Sequence, residues 1–366
     1  MQQRILLFFI LISTFFYNVE SAQAHPKSLQ TALLLPFSSG NRMVEYYEGF
    51  LLALEDIKKK GISVNLQVFD IGEDTSYLPD IFAELYWTDL DLIIGGLSDK
   101  QVKMISDYSK SRKVPYVIPF TSKGYESLNN GYVYQVNTPQ LQVYSKVSNA
   151  FGKKYNNSNV IFYTPNRQGN KMDFVQTLQK ELPANNITYH VIESNDLSEN
   201  DLSVYLNPEK NNVLISSDDT SETISKMMNP LKTLKQKQPE LSVSIFGYPS
   251  WLVYANEQSD NFFRFNACFF SIFYVDPLSP QVKSFKNNYY KWFSKEMINT
   301  YPKYGLLGYD TAMYFLQKLS RITSSFTGLQ TNFSFERMPN SSGLVNTNIY
   351  LVEFHSDYTV SAQQPN

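Results

Sequence analysis

Short runs of Ile, Val and Leu alternate with amphipathic helical patterns from residue 31 onward, and this alternation constrains the fold more than any single motif. TALLLPF (31–37) reads as a first strand. In MVEYYEGFLLALEDIKKKG, apolar Val44, Tyr47, Leu51, Leu54 and Ile57 recur every three to four residues, with Glu45, Glu48, Glu55 and Lys59 opposite. That spacing predicts an amphipathic helix closed by Gly61. SVNLQVFD follows as strand two, YLPDIFAELYW as helix two, LDLIIGG as strand three, KQVKMISDYSKSR as helix three and VPYVIPF as strand four. Continuous apolar strands between helices point to a parallel sheet covered on both faces. YVYQVN (132–137) is a shorter strand leading out of this unit.

The pattern then restarts. VYSKVSNAFGKKY (143–155) reads as a helix, NVIFYT (159–164) as a strand and KMDFVQTLQKEL (171–182) as a helix. ITYHVIE and NNVLISS continue as strands, followed by the helix SETISKMMNPLKTLKQ and the strand LSVSIFGY (241–248). After NACFFSIFYVDP come two strong helices, QVKSFKNNYYKWFSKEM and YDTAMYFLQKLSR, and the end, NIYLVEFHSDYTV, has strand character. A chain of 366 residues is long enough for about two domains. With no low-complexity linker between the units, two interlocked lobes are expected rather than independent domains.

Apolar residues make up 43% and charged residues 18%, which suffices for a large core. Tyr and Phe, at 26 each, supply buried area and flat rings that could line a cleft. The net charge of −2 gives no electrostatic case for nucleic acid or anionic lipid. Lys58, Lys59 and Lys60, the compact basic run, read as a solvated helix end. Arg4, the apolar run ILLFFILISTFF (5–16) and the small residues AQA (22–24) have the layout of a secretory signal peptide over residues 1–24, with His25 as the expected mature start. Such a run is shorter than the roughly 20 residues a spanning helix needs, so no stable membrane insertion is expected after its removal. No Cys lies near the cleavage point to carry a lipid anchor, and a periplasmic location is expected. The single cysteine, Cys268, lies in the apolar run NACFFSIFY and reads as a buried, inert thiol.

In open parallel sheets, ligands sit beyond the carboxyl ends of the strands, where loops meet helix N-termini. Three tips here carry small or hydroxylated residues: PFSSG with Ser38 and Ser39, GGLSDK with Ser98, and FTSK with Thr121 and Ser122. Hydroxyls beside free helix-start N–H groups suit a small polar ligand. Ordinary N-capping is the competing reading for each, with Ser98 or Asp99 placed to cap the helix that follows. Asp218/Asp219 at the tip after NNVLISS could likewise cap a helix or meet a ligand cation, while Asp89/Asp91 fits a polar turn. His25, His190 and His355 are scattered without metal-ligand spacing, and there is no GxSxG, P-loop or GxGxxG after the first strand. Nothing nominates catalysis, and no cofactor or metal is implied.

The ordered set YYEGFLLALEDIKKKG, DLIIGGLSDKQVKMISDYSKSRKVPYVIPFTSK, YVYQVN and YPKYGLLGYDTAMYFLQKL resembles type I periplasmic (solute-)binding proteins, in particular the leucine/branched-chain amino-acid-binding group and its receptor ligand-binding relatives. The resemblance covers about residues 29 to 360. FGYPSWLVYA, NTYPKYGLLGYDTAMYFL and GLQTNFSFERMPNSSGLVN look like a narrower branch whose members often carry peptidoglycan-binding LysM modules ahead of this domain. The resemblance implies an α/β fold of two Rossmann-like lobes with parallel sheets joined by hinge strands, the periplasmic binding protein-like I fold. Lobe one would comprise 28–138 plus 276–328, and lobe two 139–275 plus 329–360, with YVYQVN and FFSIFYVDP as two hinge crossings. It implies a non-catalytic protein that closes on a small polar ligand, amino acid-like or other, and presents it to an ABC permease. The alternative is a ligand-free interaction protein of envelope or peptidoglycan assembly. By the same resemblance Ser98, Thr121 and Ser122 would hold the ligand. In lobe two, Gln168 before Gly169 stands where the family has an aromatic, and YPSW (248–251) stands in place of an acidic residue, leaving Tyr248 and Trp251 as candidate stacking surfaces.

Overall fold

The computed structural model describes residues 28–123, 127–165, 169–322 and 326–365. The expected signal peptide, residues 1–24, and Gln168 lie outside the described residues. The first unit runs β1 (Leu29–Leu35), α1 (Asn41–Lys59), β2 (Val64–Asp70), α2 (Leu78–Leu85), β3 (Leu92–Gly95), α3 (Asp99–Arg112), β4 (Tyr116–Ile118) and β5 (Val133–Gln135). The second runs α4 (Gln140–Lys154), β6 (Asn159–Thr164), α5 (Met172–Glu181), β7 (Tyr189–Glu193), α6 (Glu199–Ser203), β8 (Asn212–Ser216), α7 (Ser221–Lys237), β9 (Val243–Gly247), α8 (Ser259–Arg264) and β10 (Cys268–Ser271). The chain then forms α9 (Pro280–Phe293), α10 (Tyr304–Leu319), β11 (Phe335–Arg337), β12 (Leu344–Asn346), β13 (Tyr350–Phe354) and β14 (Val360–Gln363).

Among the described residues these strands form two sheets, ordered β11-β12-β5-β4-β3-β1-β2 and β14-β13-β10-β9-β8-β6-β7. Within each, five successive strands pair in parallel, as expected for apolar runs separated by helices. β12 extends the first sheet in parallel, and its edge strand β11 is antiparallel. In the second sheet β13 and β14 are antiparallel. Both sheets reverse their strand order at an equivalent point, between β1 and β3 in the first and between β6 and β8 in the second. Each lobe therefore has its own switch-point crevice, the place where this class of sheet accepts a ligand.

The chain crosses between the sheets after β5, after β10 and between β12 and β13. The first two crossings fall in YVYQVN and in FFSIFYVDP, where they are expected. The third corrects the lobe boundary: β11 and β12 pair in the first sheet, so residues 335–346 belong with lobe one and the crossing lies between Asn346 and Tyr350. Polar side chains tie the crossings together. Thr138 Oγ1 donates to the Asn346 carbonyl at 2.5 Å, and Asn346 Nδ2 donates to the Val136 carbonyl at 3.2 Å. Tyr274 N donates to the Gln330 carbonyl at 2.8 Å. Gln330 is itself fixed by the carboxylate of buried Asp310 on α10, which accepts the N–H groups of Leu329, Gln330 and Thr331 at 2.7, 2.8 and 3.1 Å. Burial pushes the Asp310 carboxyl up to about 7 even though those three donors pull it down.

Helix α1 departs from its simple two-faced pattern. Tyr46, Phe50, Ala53 and Ile57 face the sheet, yet Glu45 and Glu48, expected on the solvated face, are also buried. The cause is α10, which lies directly against α1: a Cβ on Gly49 would sit 1.8 Å from the Gly305 carbonyl oxygen, and one on Gly308 2.0 Å from that of Tyr46. Glu45 accepts the N–H groups of Ile298 and Gly305 at 2.7 and 3.1 Å. Glu48 accepts the Tyr289 hydroxyl and pairs with Lys295 at 2.8 Å. Each buried carboxylate is therefore partnered, which is what makes burial tolerable. Cys268 is buried in the lobe-two core, as expected, and burial pushes its thiol up to about 12.

Candidate functional site

The lobe-one rim is built from the tips of β1, β3 and β4. After β1, residues Phe37–Ser39 make a single 3-10 turn, leaving Ser38 exposed and Ser39 half-buried. Gly40, at φ 101°, then starts α1 with no side-chain cap. Asp70 at the neighbouring tip of β2 accepts the Phe37 N–H at 3.2 Å and holds this turn in place. After β3 the chain must bend sharply beside β1. Gly96, at φ 76°, donates its N–H to the Leu34 carbonyl at 3.0 Å, and a Cβ on Gly95 would lie 1.9 Å from that oxygen. Only glycine fits this pair of positions.

Ser98 then performs the capping role that competed with ligand binding. Its Oγ accepts the Gln101 N–H at 3.3 Å, and Gln101 Oε1 accepts the Ser98 N–H at 3.1 Å, a complete capping box. The Gln101 amide nitrogen reaches onward to the carbonyls of Gly72 and Asp74 at 3.0 and 2.8 Å, so the cap also anchors the loop after β2. At the β4 tip, Thr121 Oγ1 accepts the Lys123 N–H at 3.0 Å in its own turn, and Ser122 is exposed. Asn137 donates to the Phe120 carbonyl at 2.6 Å, which joins this tip to the first hinge crossing.

The lobe-two rim is organised by Asp219. Gly169 packs so closely on the β8 tip that a Cβ there would lie 2.0 Å from the Ser217 carbonyl oxygen. Lys171 N donates to that same oxygen at 2.9 Å. This contact brings Asn170 and Lys171, after β6, onto the end of β8. Asn170 Nδ2 donates to Asp219 Oδ1 at 2.7 Å, while Lys171 Nζ lies 3.0 Å from Oδ2. Ser250, after β9, donates its hydroxyl to the same Oδ2. One carboxylate thus staples three strand tips. Burial alone would raise the Asp219 carboxyl, but the bonds from Ser250, Lys171 and Asn170 outweigh it and hold the group below the usual carboxylate range. The N-cap of α7 is Thr220 and neither acid, its hydroxyl accepting the Thr223 N–H at 3.3 Å, while Asp218 accepts the hydroxyls of Thr220 and Thr223 at 3.0 and 2.9 Å beside that cap.

Tyr248 and Trp251 do not offer stacking surfaces; both are 0% exposed, which corrects that expectation. The Tyr248 hydroxyl donates to the Ser216 carbonyl under the rim. Trp251 stacks on Phe262 at a centroid distance of 6.2 Å and meets Phe269 edge-on. The two rings are the core support of the rim, because the loop after β9 folds back over the sheet instead of projecting beyond it. Sequence reasoning misses Asn170, Lys171 and Ser250, since nothing local signals that Lys171 meets an acid 48 positions away.

A groove of about 970 Å³ lies elsewhere, on the hinge side between α9, the end of α1 and β14, with Phe285, Trp292, Tyr309 and Ala362 in its walls. No carboxyl-end strand tip of the parallel strands contributes to it, and of the acids that line it Asp56 is already paired with Lys59 at 2.7 Å and Tyr309 at 2.7 Å. Among the described residues no group of three His, Cys, Asp or Glu could hold a metal ion, and no helix is long and apolar enough to cross a membrane.

No family model and no curated protein matches this chain. Solved structures do. An ABC transporter substrate-binding protein from Sphaerobacter thermophilus superposes with a TM-score of 0.55 at 14% identity, covering 93% of this chain and 97% of that one. A branched chain amino acid ABC transporter periplasmic ligand-binding protein from Burkholderia xenovorans gives 0.57 at 15% identity over 92% and 96%. Full-length LpoA from Haemophilus influenzae also gives 0.57 at 15% identity, covering 93% of this chain but 59% of LpoA. Likeness at such identities speaks to architecture: the chain has the two-lobed α/β fold of periplasmic binding protein-like I structures.

Proposed function

We propose that the chain is a non-catalytic, exported solute-binding protein that captures a small polar ligand between its lobes. The observation that carries this reading is the reversal of strand order in each of the two sheets, which three crossings join, with hydroxylated tips in lobe one beside that reversal. Ser38, Ser39, Ser98, Thr121 and Ser122 would form the lobe-one side, and Gln168, by its place before Gly169 in the sequence, would join the lobe-two side. Lobe closure around a ligand is a population shift whose size equals the ligand's differential affinity for the two states. The closed form would be presented to a membrane partner such as an ABC permease. A thermal-shift and calorimetric screen of amino acids, muropeptides and sugars tests this. Binding that weakens at least tenfold in Thr121→Ala/Ser122→Ala supports it, and the absence of any ligand across the screen counts against it.

A second reading is favoured by a specific feature of lobe two. Asp219 has its partners within the chain, and Tyr248 and Trp251 serve the core, so that wall is self-sufficient. A protein that keeps the fold without a ligand, acting in envelope or peptidoglycan assembly, would look like this. Crosslinking in envelope extract separates the two: an assembly protein as partner supports the second reading, and a transporter permease the first.

A further inference from the structure

We infer that Lys171 is a built-in counter-ion that fills the cation position of the lobe-two crevice, so that the site takes ligands without an ammonium group. This rests on the solute-binding reading and names its ligand class. Asp218 and Asp219 are the two carboxylates at the β8 tip, beside the switch point of the second sheet. Asp218 is occupied with the hydroxyls of Thr220 and Thr223. Asp219 is occupied on both oxygens, with Asn170 on Oδ1 and with Lys171 and Ser250 on Oδ2. An incoming ammonium would have to displace Lys171 from a carboxylate whose side chain is 11% exposed, and leave that lysine without its partner. Breaking a buried pair leaves an uncompensated charge, which is strongly unfavourable.

The Lys171 ammonium carries three donors, and its side chain keeps 26% exposure at the rim. It also stands over the Tyr248 ring at 5.7 Å, which fixes where the stem runs. Among the described residues, Asp219 thus already holds its own cation, while Lys171, Asn170 and Ser250 bring N–H and O–H groups to the rim and half-buried Asp218 is engaged by hydroxyls. The lobe-one tips carry further hydroxyls. This donor set suits hydroxyl-, carbonyl- or carboxylate-bearing molecules such as sugars and organic acids, and Asp219 offers no place to an amine.

Chemical rescue tests the assignment. Lys171→Ala removes the internal cation and leaves a space shaped for an n-propylammonium ion, the side chain severed beyond Cβ. The melting temperature of Lys171→Ala should fall and then rise again with propylammonium chloride, saturably, against a sodium chloride control, while the intact chain shows no such rise. Calorimetry should likewise give at least tenfold tighter binding of propylammonium to the variant than to the intact chain. Lys171→Gln, which keeps a donor towards Asp219, should show a smaller gain and serves as the readout if Lys171→Ala does not fold. The inference is overturned if neither variant gains amine affinity. Binding of L-leucine by the intact chain that is lost in Asp219→Asn would also overturn it. Saturable binding of any sugar or carboxylate by the intact chain upholds the solute-binding reading regardless, so the two can fail separately.

Discussion

Asp310→Ala should loosen the segment 329–331 that backs the second crossing at Tyr274, at a cost that can be worked from three hydrogen bonds. The carboxylate accepts the N–H groups of Leu329, Gln330 and Thr331, and the latter two residues are buried at 2% and 0% exposure. A buried donor left without an acceptor costs about 1–3 kcal/mol, so two of them cost about 2–6 kcal/mol. Asp310→Asn should lose less, since its amide oxygen still accepts while its NH2 opposes one donor. The penalty also has a pH signature. Burial raises the folded-state Asp310 carboxyl to about 7, above its unfolded value, so the folded protein binds the proton more tightly. Its contribution to stability is then fully present below about pH 4 and is lost as pH rises through 7. Urea unfolding of the intact chain, Asp310→Ala and Asp310→Asn should therefore show a larger gap at pH 5.5 than at pH 8. Amide exchange at Leu329, Gln330 and Thr331 should accelerate in step. A loss for Asp310→Ala below about 1 kcal/mol, with exchange at those amides unchanged, would refute the claim that this carboxylate anchors the crossing.

Three other outcomes follow from the packing. Gly49→Ala should destabilise by about 3 kcal/mol or more in urea, because the new methyl meets the Gly305 backbone oxygen, which cannot yield as a side-chain end would. Trp251→Ala should cost about 3–5 kcal/mol in the same assay while leaving the affinity of any lobe-one ligand contact unchanged, since the ring is core and not rim. Cys268 should resist a thiol reagent in the native protein at pH 8 and react once urea unfolds the chain, as burial keeps its thiol protonated.

The architecture was largely legible in the sequence because its signal is local. Apolar runs such as LDLIIGG and NVIFYT are strands whichever lobe they join, and the helices between them impose parallel pairing. Three features resisted for a common reason, namely that they depend on distant partners. The second buried side of α1 exists because Gly49 meets Gly305 on α10, and no period within α1 encodes that. The return of β11 and β12 to the first sheet rests on two three-residue strands, of which β12 pairs with β5, about 210 positions earlier, and β11 pairs with β12. The lobe-two rim differs from its sequence expectation in two ways. Aromatic residues after β9 suggested a stacking surface, but Gly247 leaves room for the Trp251 ring to fold inward, where a Cβ would lie 2.4 Å from it. The acid that organises the rim, Asp219, was visible, whereas its partner Lys171 was not. Ser98 shows the opposite case: capping and ligand binding predict the same hydroxyl at the same tip, and the structure shows it capping.

Native mass spectrometry of the chain purified from its own host tests the central claim most directly. The account predicts a stoichiometric small-molecule adduct that contains no primary amine and is lost in Thr121→Ala/Ser122→Ala. A chain that flies only at its bare mass and shows no heat with any compound of the sugar and carboxylate panels would contradict it.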